Sequence, residues 1–165
     1  MDKIYHPIAP LYDENSKILI LGSFPSVKSR EQKFFYGHPQ NRFWRLLALL
    51  FSEKCPETVD EKRDFALRHH IALWDVLASC TISGSADSTI KDVAANDIRP
   101  ILEKADIKNI YVNGRTAEKY YVKYILPATG RKAVCLPSTS PANAAYNMER
   151  LKKEWQKIAD PQPGA

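Results

Sequence analysis

Four times along this chain a short apolar run is followed by a longer amphipathic one, and that alternation limits the fold more than any other feature. The pairs are 18–21 then 43–51, 71–77 then 97–105, 110–112 then 116–125, and 133–136 then 144–158. Short apolar runs without polar alternation fit strands covered on both faces, and the longer runs carry the helical period. Strands separated by helices pair in parallel, through right-handed crossovers that lay helices on both sides of the sheet. The expectation is an α/β fold, a three-layer α/β/α sandwich around a parallel sheet of about four strands. A further helix fits 59–69, with Asp60 and Glu61 in its first turn and His69-His70 at its end. Pro100 allows the helix within 97–105 to begin there instead of at Asp97.

A length of 165 residues with 44% hydrophobic content suits one domain with a core large enough to fold unaided. We expect that domain to span 1–159, with the Pro-rich residues 160–165 as a frayed tail. No segment approaches the ~20 apolar residues of a membrane span, and Met1-Asp2-Lys3 leads into a mixed segment instead of a signal-peptide core. An intracellular, cytoplasmic protein without a membrane partner is therefore expected. Cys55, Cys80 and Cys135 are widely spaced, with no CxxC pair, so neither disulfides nor a zinc site is expected. His69-His70 has no carboxylate or thiol at ligand spacing and reads as a helix-end pair. The formal net charge of +5 favours a polyanionic partner.

In such a sheet, the loops that follow the strands converge on one edge, where ligands bind. The first carries Ser23, Ser26, Lys28, Ser29, Arg30 and Lys33 before Tyr36-Gly37-His38-Pro39-Gln40-Asn41-Arg42-Phe43-Trp44, a polar and aromatic cluster at a helix start. The second runs from Asp75 through a small-polar stretch to Ser88. The third is Asn113-Gly114, and the fourth is Leu136-Pro137-Ser138-Thr139-Ser140-Pro141-Ala142-Asn143. Hydroxyls and free N–H groups at helix starts suit phosphate oxygens, and nearby cations add affinity for a nucleic-acid backbone. Neither GxGxxG nor a P-loop is present, which argues against a phosphate-binding metabolic α/β enzyme.

The segments Gly22-Ser23-Phe24-Pro25-Ser26, His38-Pro39-Gln40-Asn41-Arg42-Phe43-Trp44 and Leu136-Pro137-Ser138-Thr139-Ser140-Pro141-Ala142-Asn143 occur in this order. Together with Trp74-Asp75-Val76, Gly84-Ser85-Ala86-Asp87-Ser88 and Val112-Asn113-Gly114, they resemble the uracil-DNA glycosylase superfamily. Within it the chain is most similar to the hypoxanthine-DNA (deoxyinosine) glycosylases. The resemblance implies a DNA-repair enzyme that cleaves the N-glycosidic bond of a damaged base without metal or organic cofactor. It would work as a monomer at the nucleoid, on single- or double-stranded DNA containing a deaminated base. Mismatch-specific uracil glycosylases usually read Gly-Ile-Asn-Pro-Gly in the first motif, and Phe24 stands here at their catalytic Asn. No Asp replaces it nearby, and Leu136-Pro137-Ser138-Thr139 lacks the His or Asn of several other branches. Those departures favour hypoxanthine over uracil. Two neighbouring readings stay open at this level: a glycosylase for a wider set of deaminated bases, including uracil or xanthine, and a noncatalytic DNA-binding module.

A glycosylase must extrude its nucleotide, hold the base by stacking and edge hydrogen bonds, and tolerate an oxocarbenium-like sugar as the bond breaks. By resemblance Asn41 is the catalytic side chain, and it is also well suited to cap the following helix. An amide does not titrate near neutrality, so Asn41 would orient water through its carbonyl oxygen or donate to the base. His38 fits contact with a phosphate or the leaving base, or simply holds its loop. Tyr36 is expected to stack on the base, an interaction worth roughly 1–3 kcal/mol, with Phe24, Phe34 and Phe35 as competitors. Ser23, Phe24 and Gln40 are expected to shape the pocket, and Asn113 either reads a base edge or makes a tight turn. Ser26, Ser138, Thr139, Ser140 and Asn143 are expected to grasp the DNA backbone, the alternative being a Ser/Thr-rich turn before the last helix. Asp87 is the acidic rival to Asn41, while Asp75 lies too near the strand core to reach the sugar.

Overall fold

Five consecutive buried residues make β2 (Ile18–Gly22) the strand around which the rest is arranged. In the computed structural model, which describes residues 2–159, it is flanked by β3 (Ile71–Asp75) and β6 (Asn109–Asn113), and β7 (Val134–Leu136) completes the sheet beyond β6. All neighbours run parallel, with Gly22 beside Asp75, Leu21 beside Val112, and Asn113 beside Leu136. The four carboxyl ends therefore form one rim. The chain steps from β2 to β3 and later returns on the other side of β2, so the order reverses between β2 and β6. A crevice opens where strand order reverses in this way, outside the strand ends.

Successive strand residues face opposite sides, and the core divides accordingly. Ile18 and Ile20 join Leu73 and Tyr111 under α2 (Phe43–Leu50), α3 (Val59–Arg68) and α7 (Met148–Trp155). Leu19 and Leu21 join Ala72, Ile110 and Val112 under α4 (Arg99–Lys104) and α5 (Arg115–Tyr120). The expected three-layer sandwich with a four-stranded parallel sheet is the fold observed. A reciprocal capping box between Thr58 and Glu61 starts α3, and Pro100 lies in the first turn of α4.

Several boundaries differ from expectation. The run 71–77 is not one strand: β3 ends at Asp75, and after Val76 the chain enters β4 (Leu77–Thr81) of a second sheet. That sheet is antiparallel, ordered β1 (Lys3–Tyr5), β4, β5 (Lys91–Ala95); its outer strands lie in sequence to which no element is given above, and β4 lies largely in the expected second loop. Its outer strands are short and largely exposed, so they carry little of the apolar pattern that marks a strand. A short helix, α1 (Val27–Gln32), capped by Ser26, interrupts the first loop. The helix expected over 116–125 ends at Tyr120 and continues as a π turn, Tyr121–Ile125, into α6 (Leu126–Thr129). The last helix begins at Met148 behind its Asn147 cap, not at Ala144, because the residues before it belong to a hydrogen-bonded loop. The expected tail, 160–165, lies outside the described residues.

Trp155 anchors α7: it is fully buried, meets Phe43 edge-on with ring centroids 5.9 Å apart, and donates its indole N–H to Pro137 O at 2.9 Å. Trp155→Ala should lower unfolding free energy by roughly 3–5 kcal/mol in urea titrations followed by far-UV circular dichroism.

Candidate active site

A cleft of about 980 Å³ opens at the crevice, its wall supplied by the loops after all four parallel strands. Gly22 forms the floor because nothing larger fits: a Cβ there would lie 2.5 Å from Asp75 Oδ1 and 3.2 Å from Tyr36 Oη. Asp75 is buried, and its Oδ2 lies 2.7 Å from His6 Nε2. Since His6 Nδ1 accepts the Ile8 N–H, Nε2 carries the proton and donates to the carboxylate. His6 was not foreseen, because its partner lies 69 residues away.

Tyr36 adopts φ 55°, a left-handed conformation uncommon for a bulky residue. Its ring lies flat on Phe43, with centroids 3.9 Å apart and planes inclined by 18°, so one aromatic face is already used. The hydroxyl is buried without a hydrogen-bond partner among the described residues. Burial pushes its pKa well up and the charge of Asp75 adds to the rise; the Asn113 amide opposes it from a position short of hydrogen-bond geometry. Phe24 also lines the cleft, edge-on to His6 and beneath the Arg30 guanidinium. Phe34 is turned into the core against Trp44, which removes it as a stacking candidate.

The first loop is closed by its own hydroxyls. Ser26 caps α1 and donates to Ser29 Oγ at 3.0 Å, and Ser29 Oγ accepts the Gly37 N–H at 2.9 Å. A tight turn follows in which His38 O accepts the Asn41 N–H and His38 Nδ1 accepts the Gln40 N–H. His38 and Ser26 line the cleft. Gln40 does not: it is exposed outside the cleft, turned away by the same bend, which corrects its expected pocket role.

At the cleft wall Asn41 joins two loops. Its Oδ1 accepts the Phe43 N–H at 2.9 Å and the Thr139 hydroxyl at 2.9 Å, so a cap at the start of α2 and a position in the cleft are held together. Thr139 is fully buried, its Oγ1 accepting from Asn113 Nδ2 at 3.1 Å and its N–H donating to Asn113 Oδ1 at 3.1 Å. One expectation is thereby corrected. Thr139 cannot grasp DNA because it is fully buried, whereas Asn113 lines the cleft with one of its two amide N–H bonds given to Thr139.

The rest of the fourth loop folds on itself and on Arg42. Ser138 Oγ accepts the Ser140 N–H, Ser140 Oγ accepts the Ala142 N–H, and Asn143 Nδ2 donates to Ser138 O at 3.0 Å. The Arg42 guanidinium donates to the carbonyls of Ser140 at 2.8 Å, Asn143 at 3.1 Å and Thr139 at 3.4 Å, and to that of Tyr146. Ser138, Ser140 and Asn143 line the cleft in a preformed loop. Arg42 carries this loop, a role hidden in sequence because its partners lie 97 to 104 residues further on.

Residues 9–160 match the uracil DNA glycosylase superfamily. The chain belongs to that superfamily. Two proteins named hypoxanthine DNA glycosylase, from Methanosarcina acetivorans and Methanosarcina barkeri, are 38% and 36% identical to it over 148 residues, which is 88% of this chain and 92% of each relative. A solution NMR structure of a Methanosarcina acetivorans protein, provisionally named a uracil DNA glycosylase, matches at a TM-score of 0.78 and 34% identity, covering 92% of this chain and 94% of that one. The superfamily indicated by the sequence motifs is the one found.

In this member of the superfamily the remaining candidates sort by position. His69 pairs with Glu53 and stacks on Phe51, outside the cleft. The three cysteines are free, and among the described residues no group of three or more His, Cys, Asp or Glu side chains could hold a metal. No described helix is long and apolar enough to cross a membrane. Ser23 donates to Asp87 Oδ1 at 3.1 Å and Oδ2 at 3.0 Å at the cleft rim. Although Asp87 keeps substantial exposed surface, crowding around its carboxylate raises the pKa and the charge of Asp75 adds to this, against hydrogen bonds from Ser23 and Thr116. A raised carboxyl pKa in the folded state means that ionisation opposes folding as pH climbs, whereas below about pH 3.9 both states are protonated and the penalty disappears. Asp87→Asn should therefore raise the melting temperature modestly at pH 7, with the gain shrinking as pH falls through the raised pKa, as read by differential scanning fluorimetry.

Proposed function

We propose that this chain is a monofunctional DNA glycosylase of base excision repair that hydrolyses the N-glycosidic bond of deoxyinosine in DNA and leaves an abasic site. The observation that carries the reading is its near full-length similarity to two proteins named hypoxanthine DNA glycosylase. The cleft supports it chemically. Its volume of about 980 Å³ suits an extruded nucleotide. Phe24 and Tyr36 line the cleft as the rings to stack on the base, and Asn41 is the polar side chain to which we give the reaction.

The bond between the sugar C1′ and base N9 breaks with its electron pair passing to the purine. Water adds its oxygen to the cationic sugar, and its proton ends on the released base. The protein has to stabilise charge at both ends of the breaking bond more than it has to move protons. Fixed hydrogen-bond donors near the purine meet the developing anion, and flanking phosphates meet the cation. Ser138 and Ser140, with Asn143 and Ser26, fit contact with the DNA backbone beside the lesion. A DNA substrate sets this work inside the cell, at the chromosome.

Duplexes carrying hypoxanthine, xanthine or uracil, incubated with the protein and then cleaved by alkali, test the proposal. Strand breaks at deoxyinosine, fastest of the three, are expected. Asn41→Ala, folded by circular dichroism, should excise deoxyinosine about 10²–10³-fold more slowly. No cleavage of any duplex would sink the enzymatic reading.

A further inference from the structure

An asparagine can serve this chemistry in two opposite senses: its carbonyl oxygen can hold a water by accepting its proton, or its amide nitrogen can donate to the departing base. We infer that Asn41 acts in the second sense, as a hydrogen-bond donor to the leaving purine, and that Thr139, backed by Asn113, is the positioning residue that imposes this orientation. The inference rests on the glycosylase reading above and specifies which atom of Asn41 does the work.

The direction of every hydrogen bond in the chain follows from its ends. The Thr139 N–H points at the Asn113 side chain at 3.1 Å, and a backbone N–H requires an oxygen there, so Oδ1 faces it and Nδ2 faces Thr139 Oγ1. Thr139 Oγ1 thus accepts from Asn113, and its own hydrogen is left to donate to Asn41 Oδ1 at 2.9 Å. The Phe43 N–H at 2.9 Å independently demands an oxygen at that atom. Flipping the Asn41 amide would set its NH2 against two donors at once. Both lone pairs of the Asn41 carbonyl are therefore occupied, and no acceptor site remains for a water.

The other end of the amide is free to act. Asn41 lines the cleft and is half-buried, and its Nδ2 has no acceptor among the described residues. Two N–H bonds are presented to whatever the cleft holds. Hypoxanthine offers O6, N7 and N3 as acceptors, and each becomes a better acceptor as the bonding electrons move into the ring. A donor fixed before the reaction favours that later state over the ground state. Since Thr139 is fully buried, water cannot substitute for its hydroxyl.

The test is single-turnover excision of deoxyinosine from duplex DNA, with DNA affinity measured in parallel. Asn41→Asp keeps the shape and strengthens the acceptor but removes the donor. A loss as large as that of Asn41→Ala, about 10²–10³-fold, is expected. Asn41→Asp at or above the unsubstituted rate would mean that Asn41 holds water, and would overturn the donor assignment. Thr139→Val should slow the chemical step roughly tenfold or more without changing DNA affinity, and Thr139→Ser should restore it. Asn113→Asp guards against a folding defect, because it puts an acceptor where Nδ2 now donates and draws the Thr139 hydroxyl away from Asn41. Its rate should also fall. Thr139→Val and Asn113→Asp both within twofold of the unsubstituted protein would overturn the positioning role, whereas an unsubstituted protein that excises nothing would instead remove the glycosylase reading and this inference with it.

Discussion

The upper wall of the cleft depends on one guanidinium. Residues 137–146 have no regular secondary structure through which to pair their backbone, and carbonyls left without donors away from water would be strongly unfavourable. Arg42 answers several of them at once, bonding Thr139, Ser140, Asn143 and Tyr146 from the position immediately before α2. Its own N–H adds a bond to Thr139 O at 3.1 Å. With the loop held at those points, Thr139 is pressed into the interior within reach of both Asn41 and Asn113. The same contacts leave Ser138, Ser140 and Asn143 on the cleft wall. The shape of the cleft wall and the amide orientation are thus consequences of one cation serving as a clamp on backbone.

Beneath that wall the floor concentrates features that a stability-optimised core would avoid. Tyr36 holds a left-handed backbone, its hydroxyl is buried and unpaired, and a buried Asp75 faces it across a glycine. Each is unfavourable alone, since buried polar groups without partners and strained dihedrals cost on the order of 1–3 kcal/mol. They persist because their surroundings leave little choice. Phe43 stacks on the Tyr36 ring, His6 occupies one oxygen of Asp75, and the Ser29 hydroxyl pins Gly37. Local strain and incomplete pairing are thus collected at the edge of a well-packed sheet, at the floor of the cleft.

Much of the scaffold was legible because burial leaves a periodic trace. The four parallel strands and the helices on both faces followed from apolar runs whose period is set by backbone geometry. The antiparallel sheet was not legible, since Lys3–Tyr5 and Lys91–Ala95 are largely exposed and bear no such trace, and Leu77–Thr81 is masked by its continuity with the preceding run. In the site, His38, Phe24 and Asn41 stand in the cleft as their motif order suggested, whereas Gln40 points away because a turn reverses direction there. Thr139 was misread for a plain reason: in sequence a buried hydroxyl and an exposed one look the same.

Layer architecture, superfamily and the segments that meet at the rim are written along the chain, because each depends on local periodicity or on motifs a few residues long. Which atoms of those segments face one another is a matter of folding in three dimensions. Arg42 and Asn41 acquire their roles from partners about a hundred residues away, and no local pattern encodes a hydrogen-bond direction across that distance. Only when the first and fourth loops are brought together does Thr139 become a buried relay, and only then is the orientation of the Asn41 amide set.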